Sequence, residues 1–238
     1  MSSIPPPPTG IYPPCVTFMN EDESIDLDSI TSHVLRLAKG GVTGLVLQGS
    51  NGEAVHLNHS ERSIIIKHVR KCLDDNGYED TPIIAGCGAA SSHETLLLAR
   101  EAGEAGASYA LILPPSYWAG AMNKTVLASY FKDIADKSSI PILLYNFPLV
   151  ANGVSLDSDS MIELAQHDKI VGVKLTCGVS QVIPRHQSAL ILQNIGNLHR
   201  VAAHTDRSTF AVMSGKSEFA MHGFVGGASA CIAALVNL

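Results

Sequence analysis

The 238-residue sequence contains no run of lysine or arginine, and its formal net charge is −6. Binding along a nucleic-acid backbone needs a basic stripe, so that class of partner is excluded. Charged residues are few, 16% against 46% hydrophobic, a balance that builds a buried core rather than a disordered chain. No stretch of about 18 apolar residues occurs, so no segment is expected to span a membrane. The opening MSSIPPPPTG has neither the basic-then-apolar pattern of a secretory leader nor an arginine-rich organellar one. The cytosol is therefore the default compartment, and residues 1–9 read as an exposed Pro-rich lead-in ahead of the folded domain. The five cysteines, Cys15, Cys72, Cys87, Cys177 and Cys231, are scattered and form no C-x-x-C pair. They are expected to be reduced and mostly buried.

Several catalytic signatures are missing too. Gln48-Gly49-Ser50-Asn51-Gly52 does not have the spacing of a G-x-S-x-G nucleophile elbow. His93-Glu94 is not followed by the second histidine of H-E-x-x-H. His56 and His59 stand three apart in what reads as a loop, with no further ligand in pattern, so no metal is expected there. Gly86-Cys87-Gly88 lacks the rest of a dinucleotide fingerprint.

What the chain does have is alternation. Short apolar runs at about 10–16, 44–47, 82–86, 109–113, 141–145, 170–174, 210–214 and 230–235 read as strands. Amphipathic stretches lie between them: 27–39, a segment from the capping box Asn58-His59-Ser60-Glu61 to about 73, and 94–101, 124–136, 158–166, 198–204 and 216–223. Strand–helix alternation argues a parallel sheet with right-handed crossovers. This many repeats favours a closed (β/α)8 barrel over an open doubly wound sheet. No linker interrupts residues 10–238, so they are read as one domain.

In such barrels the chemistry sits at the carboxyl ends of the strands. Val171-Gly172-Val173-Lys174-Leu175 places a lysine there. A lysine at a strand end can simply escape into water. Inside a barrel mouth, partial desolvation instead favours the neutral amine, which can attack a ketone carbon. The protonated imine so formed is an electron sink that lets an adjacent carbon–carbon bond break without a metal. Tyr145 ends the preceding run, and neighbouring strands lie roughly 5 Å apart. It could therefore pass protons beside Lys174, or be no more than a rim aromatic. Gly49-Ser50-Asn51-Gly52-Glu53 is a candidate anion cradle of backbone N–H groups and short polar side chains, or an ordinary strand-to-helix turn.

Taken in order, a set of segments resembles the dihydrodipicolinate synthase / N-acetylneuraminate lyase family of class I aldolases over about residues 10–237. They are Tyr12-Pro13-Pro14 with Val16-Thr17-Phe18, Gly49-Ser50-Asn51-Gly52-Glu53, Ala85-Gly86-Cys87-Gly88-Ala89, Pro114-Pro115-Ser116-Tyr117, Tyr145-Asn146-Phe147-Pro148, Val171-Gly172-Val173-Lys174, and Ser214-Gly215 with Gly226-Gly227. The resemblance implies Lys174 as the Schiff-base lysine and Tyr145 as the proton shuttle. Ser50, Asn51 and Gly52 would hold the substrate carboxylate, with Ser50 also assisting the shuttle. Tyr117 would complete the proton relay, often across a subunit contact. Thr176 and Gly215 would touch the rest of the substrate. It also implies no metal or organic cofactor, a small 2-oxo acid as ligand, and homo-oligomers.

Three departures qualify the likeness. Residues 149–153 carry no arginine after Tyr-Asn-Phe-Pro, where the family's condensing synthases bind a second carboxylate. This points toward cleavage of a 4-hydroxy-2-oxo acid, a 2-keto-3-deoxy sugar acid or 4-hydroxy-2-oxoglutarate, to pyruvate and an aldehyde. The alternatives are a condensing synthase and an inactive barrel that binds 2-oxo acids. Residues 179–193 interrupt the family pattern between Thr176-Cys177-Gly178 and Asn194; they read as a translated intron or a genuine loop insertion. The resemblance further implies helices beyond Leu238. Without them, the backs of strands eight and one are expected to be bare and the chain to be prone to association.

Overall fold

The computed structural model describes residues 4–176 and 187–237. Each early helix starts where a short polar side chain replaces a missing backbone partner. Asp26 accepts from Ser29 N to open α1 (Leu27–Lys39). Asn58 and Glu61 form the expected reciprocal capping box of α2 (His59–Asp74). Ser91, Asn123 and Asp157 cap α3 (Ser92–Glu104), α4 (Lys124–Lys137) and α5 (Ser158–Leu164), each side chain accepting from a first-turn N–H. Helices α6 (Gln187–Ala203) and α7 (Ala220–Val225) complete the described set. The start of α6 falls in the atypical segment; residues 179–186 and Cys177 lie outside the described residues. No described helix is long and apolar enough to cross a membrane.

The eight strands are β1 (Gly10–Ile11), β2 (Leu45–Leu47), β3 (Ile83–Gly86), β4 (Tyr109–Ile112), β5 (Ile142–Asn146), β6 (Ile170–Leu175), β7 (Ala211–Ser214) and β8 (Ala230–Cys231). They form one parallel sheet in the order β1-β8-β7-β6-β5-β4-β3-β2. The ring closes between β1 and β2. There Thr43 N donates to Ile11 O and Val46 N to Pro13 O, each at 2.9 Å, and Pro14 bridges Val46. This is the (β/α)8 barrel the alternation predicts. β1 is shorter than the expected 10–16 because Pro13 and Pro14 have no N–H to give the ladder.

Two apolar layers follow from the period-2 strands. One fills the barrel, with Val46, Ile84, Leu111, Leu143, Val171 and Met213 among its members. The other lies between strands and helices, for example Leu45, Ile66, Phe131, Leu144 and Val173. Of residues 4–9, expected as an exposed lead-in, Pro5, Pro8 and Thr9 are exposed, but Pro7 is buried and the segment touches the barrel floor. Ile4 packs against the inner layer, and the carbonyls of Pro8 and Pro5 accept from Tyr12 Oη at 2.6 Å and Tyr109 Oη at 3.2 Å. Those phenols need acceptors once buried. On the last strand the expectation of a bare back needs correction, while Ile11 on the first is only half-buried. Cys231 on β8 is 1% exposed. The turn Ala234–Asn237 folds back so that Asn237 bonds His33 at 3.1 Å and the Pro14 carbonyl at 3.1 Å. Cys15, Cys72, Cys87 and Cys231 are free and buried, and burial pushes the thiols of Cys15 and Cys87 up to about 12.

Candidate active site

Lys174 faces the barrel interior because β6 carries one extra residue. Ile142 pairs with Ile170, but the next residue, Leu143, pairs with Gly172, which leaves Val171 as a bulge. Both Val171 and Tyr145 belong to the inner layer, while Val173 belongs to the outer one. Without the bulge, Lys174 would stand opposite Asn146; with it, Lys174 stands opposite Tyr145. Gly172 makes this possible. A Cβ there would sit 2.5 Å from the Ala211 carbonyl oxygen and 2.9 Å from Leu143 Cδ2. Asn146 turns outward and pins the following loop, accepting from Leu156 N at 3.0 Å and donating to Leu156 O at 3.1 Å.

The resulting pair is tight. Lys174 Nζ donates to Tyr145 Oη at 3.0 Å and lies 4.1 Å from the centroid of the tyrosine ring. Both side chains are buried. Among the described residues no carboxylate forms an ion pair with Lys174. Two cavities meet at Tyr145. One, of about 230 Å³, is lined by Lys174, Thr176, Asn51, Gly215 and Lys216. The other, of about 250 Å³, is lined by Gly49, Ser50, Glu53, His56 and Arg62. Thr176 is buried, and its Oγ1 has no hydrogen-bond partner among the described residues.

Five of the sequence candidates thus share one cavity: Lys174, Tyr145, Thr176, Asn51 and Gly215. Ser50 lines the adjoining one. Gly52 is buried in the cradle loop, and its carbonyl accepts from Thr17 Oγ1 at 2.8 Å. Tyr117 is not brought to either cavity. It is 77% exposed, and among the described residues its ring stacks edge-on with Trp118, centroids 5.2 Å apart. His59 is not a loop residue. It opens α2 and bridges to α3, with Nε2 2.9 Å from Glu94 and Nδ1 2.7 Å from Glu101. Those two carboxylates raise its pKa.

Sequence reasoning missed what holds the cradle. Gln48, directly after β2, is in the left-handed region, φ 55°, and its side-chain amide donates to Arg62 O at 2.7 Å. The Arg62 guanidinium donates to Gly86 O at 2.8 Å, to Ala54 O at 3.1 Å and to Gln48 Oε1 at 3.3 Å. Burial lowers the Arg62 pKa from its ordinary value. A signal existed: Arg62 lies one turn before Ile65, Ile66 and Val69 on the buried stripe of α2, and a cation there needs a structural reason. Gly86 completes the brace. A Cβ on it would lie 1.9 Å from the Gln48 carbonyl oxygen. Gly86→Ala is therefore expected to lower stability by on the order of 3 kcal/mol through backbone overpacking. Urea unfolding checks this, and a change below about 0.5 kcal/mol would show that the brace yields freely.

An eight-stranded parallel barrel with a buried lysine–tyrosine pair at the carboxyl ends of adjacent strands defines the class to which this molecule belongs. The chain is a member of the dihydrodipicolinate synthetase family, whose sequence profile matches residues 7–238. It is 40% identical over 229 residues to a probable mitochondrial 4-hydroxy-2-oxoglutarate aldolase of Emericella nidulans, covering 96% of this chain and 69% of that one. It is 39% identical over 239 residues to the L-threo-3-deoxy-hexylosonate aldolase of Hypocrea jecorina, covering 97% and 71%. A crystal structure of a dihydrodipicolinate synthase family protein from Coccidioides immitis superposes with a TM-score of 0.82 at 36% identity, covering 98% of this chain and 68% of that one.

Proposed function

We propose that this chain is a Schiff-base aldolase that cleaves a 4-hydroxy-2-oxo acid to pyruvate and an aldehyde. The substrate classes are 4-hydroxy-2-oxoglutarate and 2-keto-3-deoxy sugar acids, as in the names of the Emericella and Hypocrea relatives. The observation that carries the reading is the 3.0 Å contact between the buried Lys174 amine and the Tyr145 hydroxyl. The Lys174 amine adds to C2, the carbinolamine loses water, and a protonated imine forms. Tyr145 takes the proton of the C4 hydroxyl as the C3–C4 bond breaks. The bonding pair moves into an enamine, the imine nitrogen is neutralised, and the aldehyde leaves. Protonation at C3 and hydrolysis then release pyruvate and restore the amine. Ser50, Asn51 and Gly52 hold the C1 carboxylate.

The same reading assigns Tyr117 to a relay completed by a second copy of the chain, which would cover its exposed ring. It keeps the cytosol as the compartment, although the Emericella relative carries the word mitochondrial in its name. Residues 149–153 carry no arginine, which weighs against a condensing synthase. The test is to supply racemic 4-hydroxy-2-oxoglutarate and follow pyruvate with coupled lactate dehydrogenase. Saturable pyruvate release is expected; ligand-induced stabilisation without any release would make the chain a binding protein instead.

A further inference from the structure

The cavity that holds Lys174 contains a second amine. Lys216 lies two residues past the end of β7, in extended backbone with φ −147° and ψ 142°, and lines the same cavity of about 230 Å³. It is half-buried. Among the described residues it has no hydrogen bond, ion pair or aromatic ring partner, unlike the surface lysines Lys71, Lys132 and Lys137, which pair with Asp75, Glu163 and Asp133. Thr176 lines the same wall, buried, with its hydroxyl unpartnered among the described residues. A buried hydroxyl without a partner is uncommon in a folded protein. Tyr145, Phe147 and Ile232 supply apolar surface to the cavity. It therefore offers a reactive amine, an idle hydroxyl and an idle cation on a partly apolar bed.

We infer that Lys216 is the subsite for a second carboxylate, at the far end of a five-carbon 2-oxo acid whose C2 is held on Lys174. This inference rests on the proposed Schiff-base function and narrows it. It ranks the dicarboxylate 4-hydroxy-2-oxoglutarate above neutral-tailed sugar acids. The loop after Tyr145 supplies no such cation, since residues 149–153 are Leu, Val, Ala, Asn and Gly. Glu218 shares the rim but is exposed, where water and salt screen its field. The half-buried Lys216 is screened less, and a charge-assisted hydrogen bond to carboxylate is stronger than a neutral one. Thr176 Oγ1 is placed to meet a hydroxyl between the two ends of the substrate.

Binding can be read without turnover. The chain is incubated with 2-oxoglutarate, or with 2-oxopentanoate of the same carbon length but no distal charge. Borohydride reduces any imine, and mass spectrometry quantifies the adduct on Lys174 against ligand concentration. Half-saturation is expected about tenfold lower for 2-oxoglutarate, the size of a charge-assisted hydrogen bond. Lys216→Met should bring the two acids to within about threefold, and Lys216→Arg should keep most of the preference because the charge remains. Pyruvate trapping should be unchanged in both variants, which shows that the site is intact. A wild-type chain that traps both five-carbon acids equally, or a Lys216→Met variant that keeps the preference, would overturn the subsite while leaving the aldolase reading standing. No adduct with pyruvate itself would overturn both.

Discussion

Replacing Lys174 by methionine is expected to abolish turnover while leaving the barrel folded. The amine is the only group in the proposed mechanism that bonds to substrate carbon, and water cannot form the imine in its place. A loss on the order of 10⁴-fold or more in kcat follows, as for other covalent nucleophiles. Stability should move the other way or not at all. Lys174 is 4% exposed, and no described carboxylate pairs with it. Burying such a polar group is unfavourable, and methionine restores the volume without that penalty. The thermal midpoint of Lys174→Met is thus expected at or above that of the parent, a common result where function occupies a destabilising position. Steady-state pyruvate release and a melting curve check the two halves. A variant that keeps activity within about tenfold would remove Lys174 from the chemistry.

Tyr145→Phe should separate imine formation from bond cleavage. Phenylalanine preserves the ring that packs beneath the Lys174 amine and removes only the hydroxyl 3.0 Å from Nζ. Carbinolamine dehydration can borrow a proton from solvent or Ser50, so pyruvate should still be trapped by borohydride. Cleavage cannot proceed as easily, because the C4 hydroxyl proton must leave as the C3–C4 bond breaks. Loss of a positioned proton shuttle slows a step by about 10²- to 10⁴-fold. The expected pattern is kcat down by that amount with an intact adduct. Equal loss of both would make Tyr145 a packing residue for Lys174, and full activity would leave it without a role.

The parts of this molecule that were legible in the sequence are those governed by local rules. The Asn58–Glu61 capping box and the stripe Ile65, Ile66, Val69 specify α2 from neighbouring residues alone. Strands such as β3 and β4 are short apolar runs bounded by Pro82 and Pro114. The pairing of Lys174 with Tyr145 followed from strand order. The orientation that makes the pair useful did not, because it depends on a bulge at Val171 that only the β5–β6 register reveals. The cradle was visible as Gly49–Glu53, but its brace was not. The left-handed backbone at Gln48 and the inward Arg62 are set by two strands, β2 and β3, and the helix α2 meeting in space. Tyr117 was named through resemblance, and its place in this chain is solvent. The Pro-rich start looked like a free tail because its anchors, Tyr12 just past β1 and Tyr109 on β4, come together only once the barrel has closed.

The measurement closest to the central claim is borohydride reduction of the chain in the presence of pyruvate, followed by peptide mass spectrometry. A single reduced adduct is expected, on the peptide containing Lys174, and the Lys216→Met and Tyr145→Phe proteins should acquire it under the same conditions. An unmodified Lys174, or an adduct spread over exposed lysines such as Lys71 and Lys137 at the same level, would contradict it.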